Sequence, residues 1–417
     1  MGELPEASVS AATREGRLAI FDDVWETIRE RYYDPNLHGV DWPRLGARFR
    51  PLAAAARDSR EFYRVMRRLV AHLGDVHTRV YAPGERFTWL QPFFVSIGVS
   101  VREISDTLVV TNVESGSEAQ QAGVSVGDKV TSIDGEAATV ALARRLEEDA
   151  EPLNTEAAMR LRTIDRLRAV AKLFDGPADS SVTIVFGKNA GREASVRLRR
   201  EQQSRRAEFS VRRGNRGYSI IKFDAFTPEF ATRFVRALKN ELQSARGLVI
   251  DLRDNGGGEM EAMVDVASAF LPAGLSLGQF TDREGHVRVA PQTRLAPLFA
   301  ADTGVRFRGP MVILTGAKTA SAAEGFTAVL QTSRRAEVLG EHTCGCVLGV
   351  RRAHQLPDGG QLDISELNYH TADGARLETF GIAPDETLTP SLEDIRARRD
   401  RTLERALERL KAESKKR

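Results

Sequence analysis

The sequence predicts a multidomain protein of the α+β / α/β class: a layered α/β core, a helical region before it and a β-rich domain inserted between them. Three observations predict it. The 417 residues exceed one ordinary core, so two or three domains are expected. Beyond Arg205, strand-like apolar runs alternate with helically spaced ones, the order of a layered domain with parallel strands. Residues near 93–135 differ, being short β-type runs bounded by Gly, Ser and Asp.

Taken in order, residues 1–85 read as helical. Ile20, Val24 and Ile28, then Phe62, Val65, Met66 and Leu69, recur at helical spacing on either side of the Pro- and Gly-broken stretch YYDPNLHGVDWP. Asp58 or Ser59 is placed to cap the second group. Residues 86–203 hold the β-type runs FFVSIGVSV, TLVVTNV, KVTSIDG, SVTIVFG and ASVRLRR, with a helical insertion over about 139–174. SGSEAQQAGVSVGD contains a short helix ending at Gly123. Residues 204–390 run YSIIKFDAF, a helix through FATRFVRALKNEL, GLVIDLR, a helix over EAMVDVASAFL, MVILTG, a further helix and EVLGE. Residues 391–417 read as one charged helix.

Composition removes several function classes. Lys+Arg 60 against Asp+Glu 58 leaves a net charge of +2, so no strong field invites nucleic acid or an anionic membrane. No apolar run approaches the roughly 18 residues of a membrane span. The opening MGELPEASVSAATREG lacks a secretory apolar core, leaving a cytoplasmic protein or one whose signal has been removed. Two cysteines, Cys344 and Cys346, are too few for a disulfide framework or a structural zinc site. In one strand they lie about 7 Å apart on the same face, so they read as small buried residues rather than as a bridge or half a metal site. No metal or organic cofactor is expected.

Two loops after apolar strands carry chemistry. DLRDNGGG, residues 251–258, has three glycines that allow backbone N–H groups to face a ligand, or that form no more than a tight turn. GAKTASAAE, residues 316–324, puts Ser321 ahead of an apolar helix with Glu324 three residues on. That is the spacing of a capping box, and equally the place of a nucleophile whose helix N-terminus favours negative charge.

FDDVWETIRERYYDP, VDW, LGDVHTRV, SGSEAQQAGVSVGDKVTSIDGE, GYSIIKF, GLVIDLRDNGGG, TASAAE, VLGEHTCGC and LETFGIAPD, in this order, resemble the carboxyl-terminal processing proteases. This tail-specific serine protease family also includes the tricorn core protease. The resemblance covers most of the chain and implies a protease core with an inserted PDZ-like domain. It implies Ser321 as nucleophile, with the N–H groups of Ala322 and Gly257 as the oxyanion hole.

Most of the family pairs its serine with a lysine in an element like Thr-Phe-Gly-Lys-Gly. Here that stretch is Thr343-Cys344-Gly345-Cys346-Val347, and Cys346 stands at the lysine's place. A thiol of ordinary pKa about 8.5 is a poor substitute base. Lys318 lies in the approach loop and reads as solvated. The tricorn-like branch uses a histidine instead, and the resemblance implies His77 as base with Glu378 orienting it. That branch carries a serine before the histidine where this chain has Val76, which leaves Asp75 or a water as alternative relays. His342 is a base only if His77 is remote.

The PDZ resemblance implies that Ser96, Ile97, Gly98 and Val99 form the loop and strand that take a peptide's terminal carboxylate. Gly98 reads equally as an ordinary bulge. The expected activity is a serine endopeptidase acting on protein or peptide substrates. The alternative is an inactive pseudoprotease that binds chain ends. The resemblance also implies an extracytoplasmic location. Self-association into a homo-oligomer stays open.

Overall fold

The computed structural model describes residues 9–85, 94–149, 166–167, 169–170, 173–188, 191–203, 207–214, 217–242, 244–298 and 306–414. The N-terminal region forms three helices, Arg14–Arg31, Trp42–Ala55 and Ser59–Ala71. Their N-terminal N–H groups are met by the side chains of Thr13, Asp41 and Asp58. The apolar spacing closes into one core of Ile20, Val24, Ile28, Phe62, Met66 and Leu69 around Trp42 and Phe49. After the third helix the chain turns at residues 72–78 into the strand Arg79–Tyr81. That strand pairs antiparallel with Gln361–Asp363, so the turn carrying His77 is fastened to a late part of the chain.

The β-rich domain is an antiparallel sheet of Val99–Ile104, Thr107–Val113, Lys129–Ile133, Ser181–Gly187 and Glu193–Arg199, in that order. The run expected as one strand, FFVSIGVSV, is divided. Gly98, at φ +79°, breaks it, and Phe94–Ser96 leaves the sheet to pair with Glu201–Gln203. Of the helical insertion, the described part is the helix Ala138–Asp149 and helical turns at 166–167 and 169–170. The rest of 139–174 is partly outside the described residues.

The core is a six-stranded sheet in the order Phe209–Arg213, Tyr218–Phe223, Gly247–Asp251, Met311–Thr315, Glu337–Gly340 and Glu386–Thr387. All neighbours pair in parallel except the edge strand Phe209–Arg213. The four central strands are buried on both faces. Ile221, Phe223, Ile250 and Ile313 point to the helices Pro228–Asn240, Met260–Ser268 and Ala322–Thr332. Ile220, Val249, Val312 and Leu314 point the other way and are covered by Ala406 and Leu410. The tail is therefore a layer of the core. It is also two helices, Leu392–Arg396 and Arg401–Ser414. Asp400, in the break between them, binds Arg253 at 2.9 and 2.8 Å.

Gly247–Asp251 and Met311–Thr315 are direct neighbours, with Asp251 opposite Leu314. The loops leaving their C-terminal ends must lie side by side, where parallel α/β sheets hold their ligands.

Candidate active site

The two loops are bonded to each other before they meet any ligand. Thr319 Oγ1 donates to Leu252 O at 2.7 Å, and the Ala320 N–H donates to Asn255 O at 3.1 Å. Asn255, fully buried, donates through Nδ2 to Phe223 O at 3.0 Å and accepts the Gly257 N–H at 2.9 Å. Gly257 has φ +101° and faces the serine. A Cβ there would lie 2.6 Å from Ser321 Cβ and 3.0 Å from Ala322 N. Only glycine allows this approach.

Ser321 heads the helix Ala322–Thr332 with φ 54° and ψ −122°, a left-handed backbone that non-glycine residues adopt at a cost. The question of cap or nucleophile divides between its atoms. The Glu324 N–H goes to the Ser321 carbonyl at 2.9 Å, and Glu324 Oε2 accepts the Ser321 N–H at 3.1 Å. Ser321 and Glu324 thus stand in the reciprocal arrangement of a capping box, with the Glu324 N–H bonded to the Ser321 carbonyl.

Glu324 does more than return a cap. Fully buried, it also accepts Thr343 Oγ1 at 2.6 Å, the Gly345 N–H at 2.7 Å and the Cys346 N–H at 2.9 Å. Burial pushes its carboxyl up to about 7 against the pull of these donors. The Ser321 N–H also donates to Cys346 O at 2.9 Å, and the Cys344 N–H to Thr319 O at 2.9 Å. One carboxylate thus pins the Ser321 turn to the segment 343–346.

Cys344 and Cys346 are joined in a disulfide, which corrects the expectation of two unbridged residues. The 7 Å estimate assumed an extended strand. Gly345 takes φ 68° instead, and the turn shortens the Cα–Cα distance to 5.2 Å, within disulfide reach. The glycine between the cysteines was the signal in the sequence.

His77 lies in the turn after the third helix. Its N–H donates to Asp75 Oδ1 at 2.7 Å, and its Nδ1 is 3.9 Å from the same oxygen. Thr78 Oγ1 donates to Asp75 Oδ2 and accepts the Ser365 N–H at 3.1 Å. Val76 packs with Cys346, and partly buried Ala320 and Cys344 complete that cluster. The residue before His77 and the residue before Ser321 therefore share one apolar contact group. Glu378 is buried, accepts the Val347 N–H at 2.8 Å, and is held well above the usual carboxylate range by burial and by the nearby Asp75 charge. Lys318 is exposed and 3.7 Å from Asp254, which also binds Lys222 at 3.0 Å.

In the β-rich domain the Gly98 N–H donates to Ser96 Oγ at 3.0 Å, and Ser96 Oγ donates to Glu114 Oε1 at 2.8 Å. Ile97 and Val99 are buried in the sheet's core. Among the described residues no helix is long and apolar enough to cross a membrane.

Residues 217–388 match peptidase family S41, 13–71 the tricorn protease C1 domain, and 95–148 the PDZ domain. The chain is a PDZ-containing serine peptidase similar to the carboxyl-terminal-processing proteases. The peptidase is 26% identical over 407 residues to a carboxyl-terminal-processing protease of Synechocystis sp., covering 94% of this chain and 84% of that protein. Its fold is similar to the photosystem II D1 C-terminal processing protease, with TM-score 0.56, 22% identity, and 90% and 94% of the two chains covered. Mature CPAF is similar at TM-score 0.69, 15% identity, and coverage of 92% and 94%. The comparisons favour the enzyme over the inactive binder.

Proposed function

We propose that the peptidase cleaves protein or peptide chains through an acyl-enzyme, with Ser321 as nucleophile and His77 as its base. Ser321 Oγ attacks the scissile carbonyl as the imidazole takes its proton. His77 returns the proton to the leaving amine, and water releases the acyl group by the same route. The observation that supports this reading is the shared contact group of Val76, Cys346 and Ala320, since it holds the histidine turn against the serine loop. Asp75 supplies negative charge beside the imidazole, its Oδ1 3.9 Å from Nδ1, whereas burial and that same charge favour the neutral form of Glu378, which serves as a buried hydrogen-bonding partner of the site.

The oxyanion donors are Ala322 and the 257–258 glycine pair. The Gly257 N–H is engaged by Asn255, whereas Gly258 takes part in its bridge to Phe226 without using its own N–H. The developing charge either displaces Asn255 from Gly257 or is met by Gly258, at the head of a helix whose dipole favours it.

The PDZ domain presents chain termini to the core, through the loop and strand Ser96–Val99. An extracytoplasmic location accords with the Cys344–Cys346 disulfide, because such bonds persist in oxidising compartments.

The test is active-site labelling with a fluorophosphonate probe. The expected outcome is a single adduct on Ser321 that disappears in His77→Ala. Equal labelling of His77→Ala and the parent would remove His77 from the mechanism. No labelling of the folded parent would remove the serine.

A further inference from the structure

The Cys344–Cys346 disulfide sits inside the bonds that fix Ser321, yet hydrolysis makes no use of it. Three consecutive residues, 344–346, are tied to the nucleophile loop at four points. These are the Cys344 N–H to Thr319 O, the Gly345 and Cys346 N–H groups to Glu324, and Cys346 O to the Ser321 N–H. The turn that aligns these groups is the left-handed one at Gly345, closed by the S–S bond. A relaxed three-residue strand would place its end Cα atoms about 7 Å apart rather than close. Opening the ring therefore frees the segment to extend, and extension carries Cys346 O and two of the Glu324 donors away from their present positions.

The bond is also placed to be opened. Cys344 is half-buried and Cys346 is 1% exposed, so an incoming thiolate reaches the first sulfur and expels the second. A ring closed across a single intervening residue constrains little chain, so chain entropy offers small resistance to its reduction.

We propose that Cys344–Cys346 is a redox control site of the Ser321 centre, closed in the working peptidase and opened by a dithiol reductant. This rests on Ser321 being the nucleophile. One thiolate of the dithiol attacks Cys344 Sγ. A mixed disulfide forms as the Cys344–Cys346 bond breaks, and the electron pair leaves on the Cys346 sulfur, which takes a proton. The second thiolate of the reductant then attacks its own mixed-disulfide sulfur and releases Cys344, which is protonated in turn. The reductant departs as a disulfide and the peptidase holds two thiols.

The experiment treats the full chain with dithiothreitol and follows three readouts. These are alkylatable thiols by mass, the rate of fluorophosphonate labelling at Ser321, and hydrogen exchange over residues 316–324. The expected result is two new thiols, labelling slowed by about tenfold or more, and faster exchange at the Ser321 amide. All three reverse on reoxidation with glutathione disulfide. The double variant Cys344→Ser, Cys346→Ser labels at the reduced rate and ignores the reductant. Two thiols with labelling and exchange within about twofold of the oxidised protein would overturn the proposal. So would a bond that no dithiol concentration opens. Should the oxidised protein fail to label at all, the nucleophile assignment falls, while exchange across 316–324 still decides whether the disulfide governs that loop.

Discussion

At the scale of single residues the site depends on close backbone approach and on one buried acid. Gly257 leaves no room for a methyl group, which would meet Ser321 Cβ at 2.6 Å and Ala320 O at 2.7 Å. Gly257→Ala is expected to lower kcat/KM by about two orders of magnitude or more, because small misplacements of the reacting groups are that costly. Steady-state assays beside an urea melt separate this from misfolding. Glu324 makes a pH prediction. Its folded carboxyl, near 7, lies above the ordinary value of 4.5, so the folded state holds the proton more tightly than the unfolded chain. Its contribution to stability is fully present below about pH 4.5 and is lost as pH rises through about 7, on the order of 3 kcal/mol in total. Glu324→Gln should flatten that part of a stability–pH curve measured by urea unfolding, leaving a slope of the same sign from Glu378. An unchanged curve would mean that Glu324 ionises normally.

At the scale of elements, much was legible and the exceptions have physical causes. Ile20, Val24 and Ile28 and the Phe62–Leu69 set marked their helices because one face of each meets a common core. Alternating strands and helices beyond Arg205 gave the parallel sheet, and the order of its loops gave Ser321 beside DNGGG. The disulfide was misread because strand geometry was assumed where Gly345 makes a turn. The hub at Glu324 was hidden because three of its donors come from residues 343–346, some twenty positions on. The tail's packing was not legible because its charge conceals the stripe through Ala406 and Leu410 that covers the sheet, and the expected single helix is divided in two. Leu410, fully buried against the sheet, should therefore matter to folding. Leu410→Ala is expected to cost about 2–5 kcal/mol in urea unfolding. A loss below about 1 kcal/mol would indicate a detachable tail.

At the scale of the whole molecule, parts distant in sequence converge on one loop cluster. The strand Arg79–Tyr81 pairs with Gln361–Asp363, which anchors the His77 turn. Arg102 of the PDZ sheet pairs with Glu341, three residues before Cys344. The loop at Ser96–Val99 is already internally bonded, and Glu114 stands beside it. A peptide carboxylate bound at this loop would have to displace the Ser96 hydroxyl from the Gly98 N–H and overcome that acid. Peptides with a free apolar C-terminus should still bind more tightly than their amides, by about tenfold for a charge-assisted bond. Calorimetry or polarisation on matched pairs checks this, and equal affinities would place recognition elsewhere.

The ties around Cys346 limit how such a site could be re-engineered. Lysine grafted at position 346 would leave Cys344 with an orphan thiol. It would also thrust an ammonium group into the contact shared by Val76 and Ala320, where a charge has no water to solvate it. Installing amine chemistry there would require rebuilding the turn at 72–78, the cysteine loop and the approach to Ser321 together, so an amine at this centre is not a single substitution away.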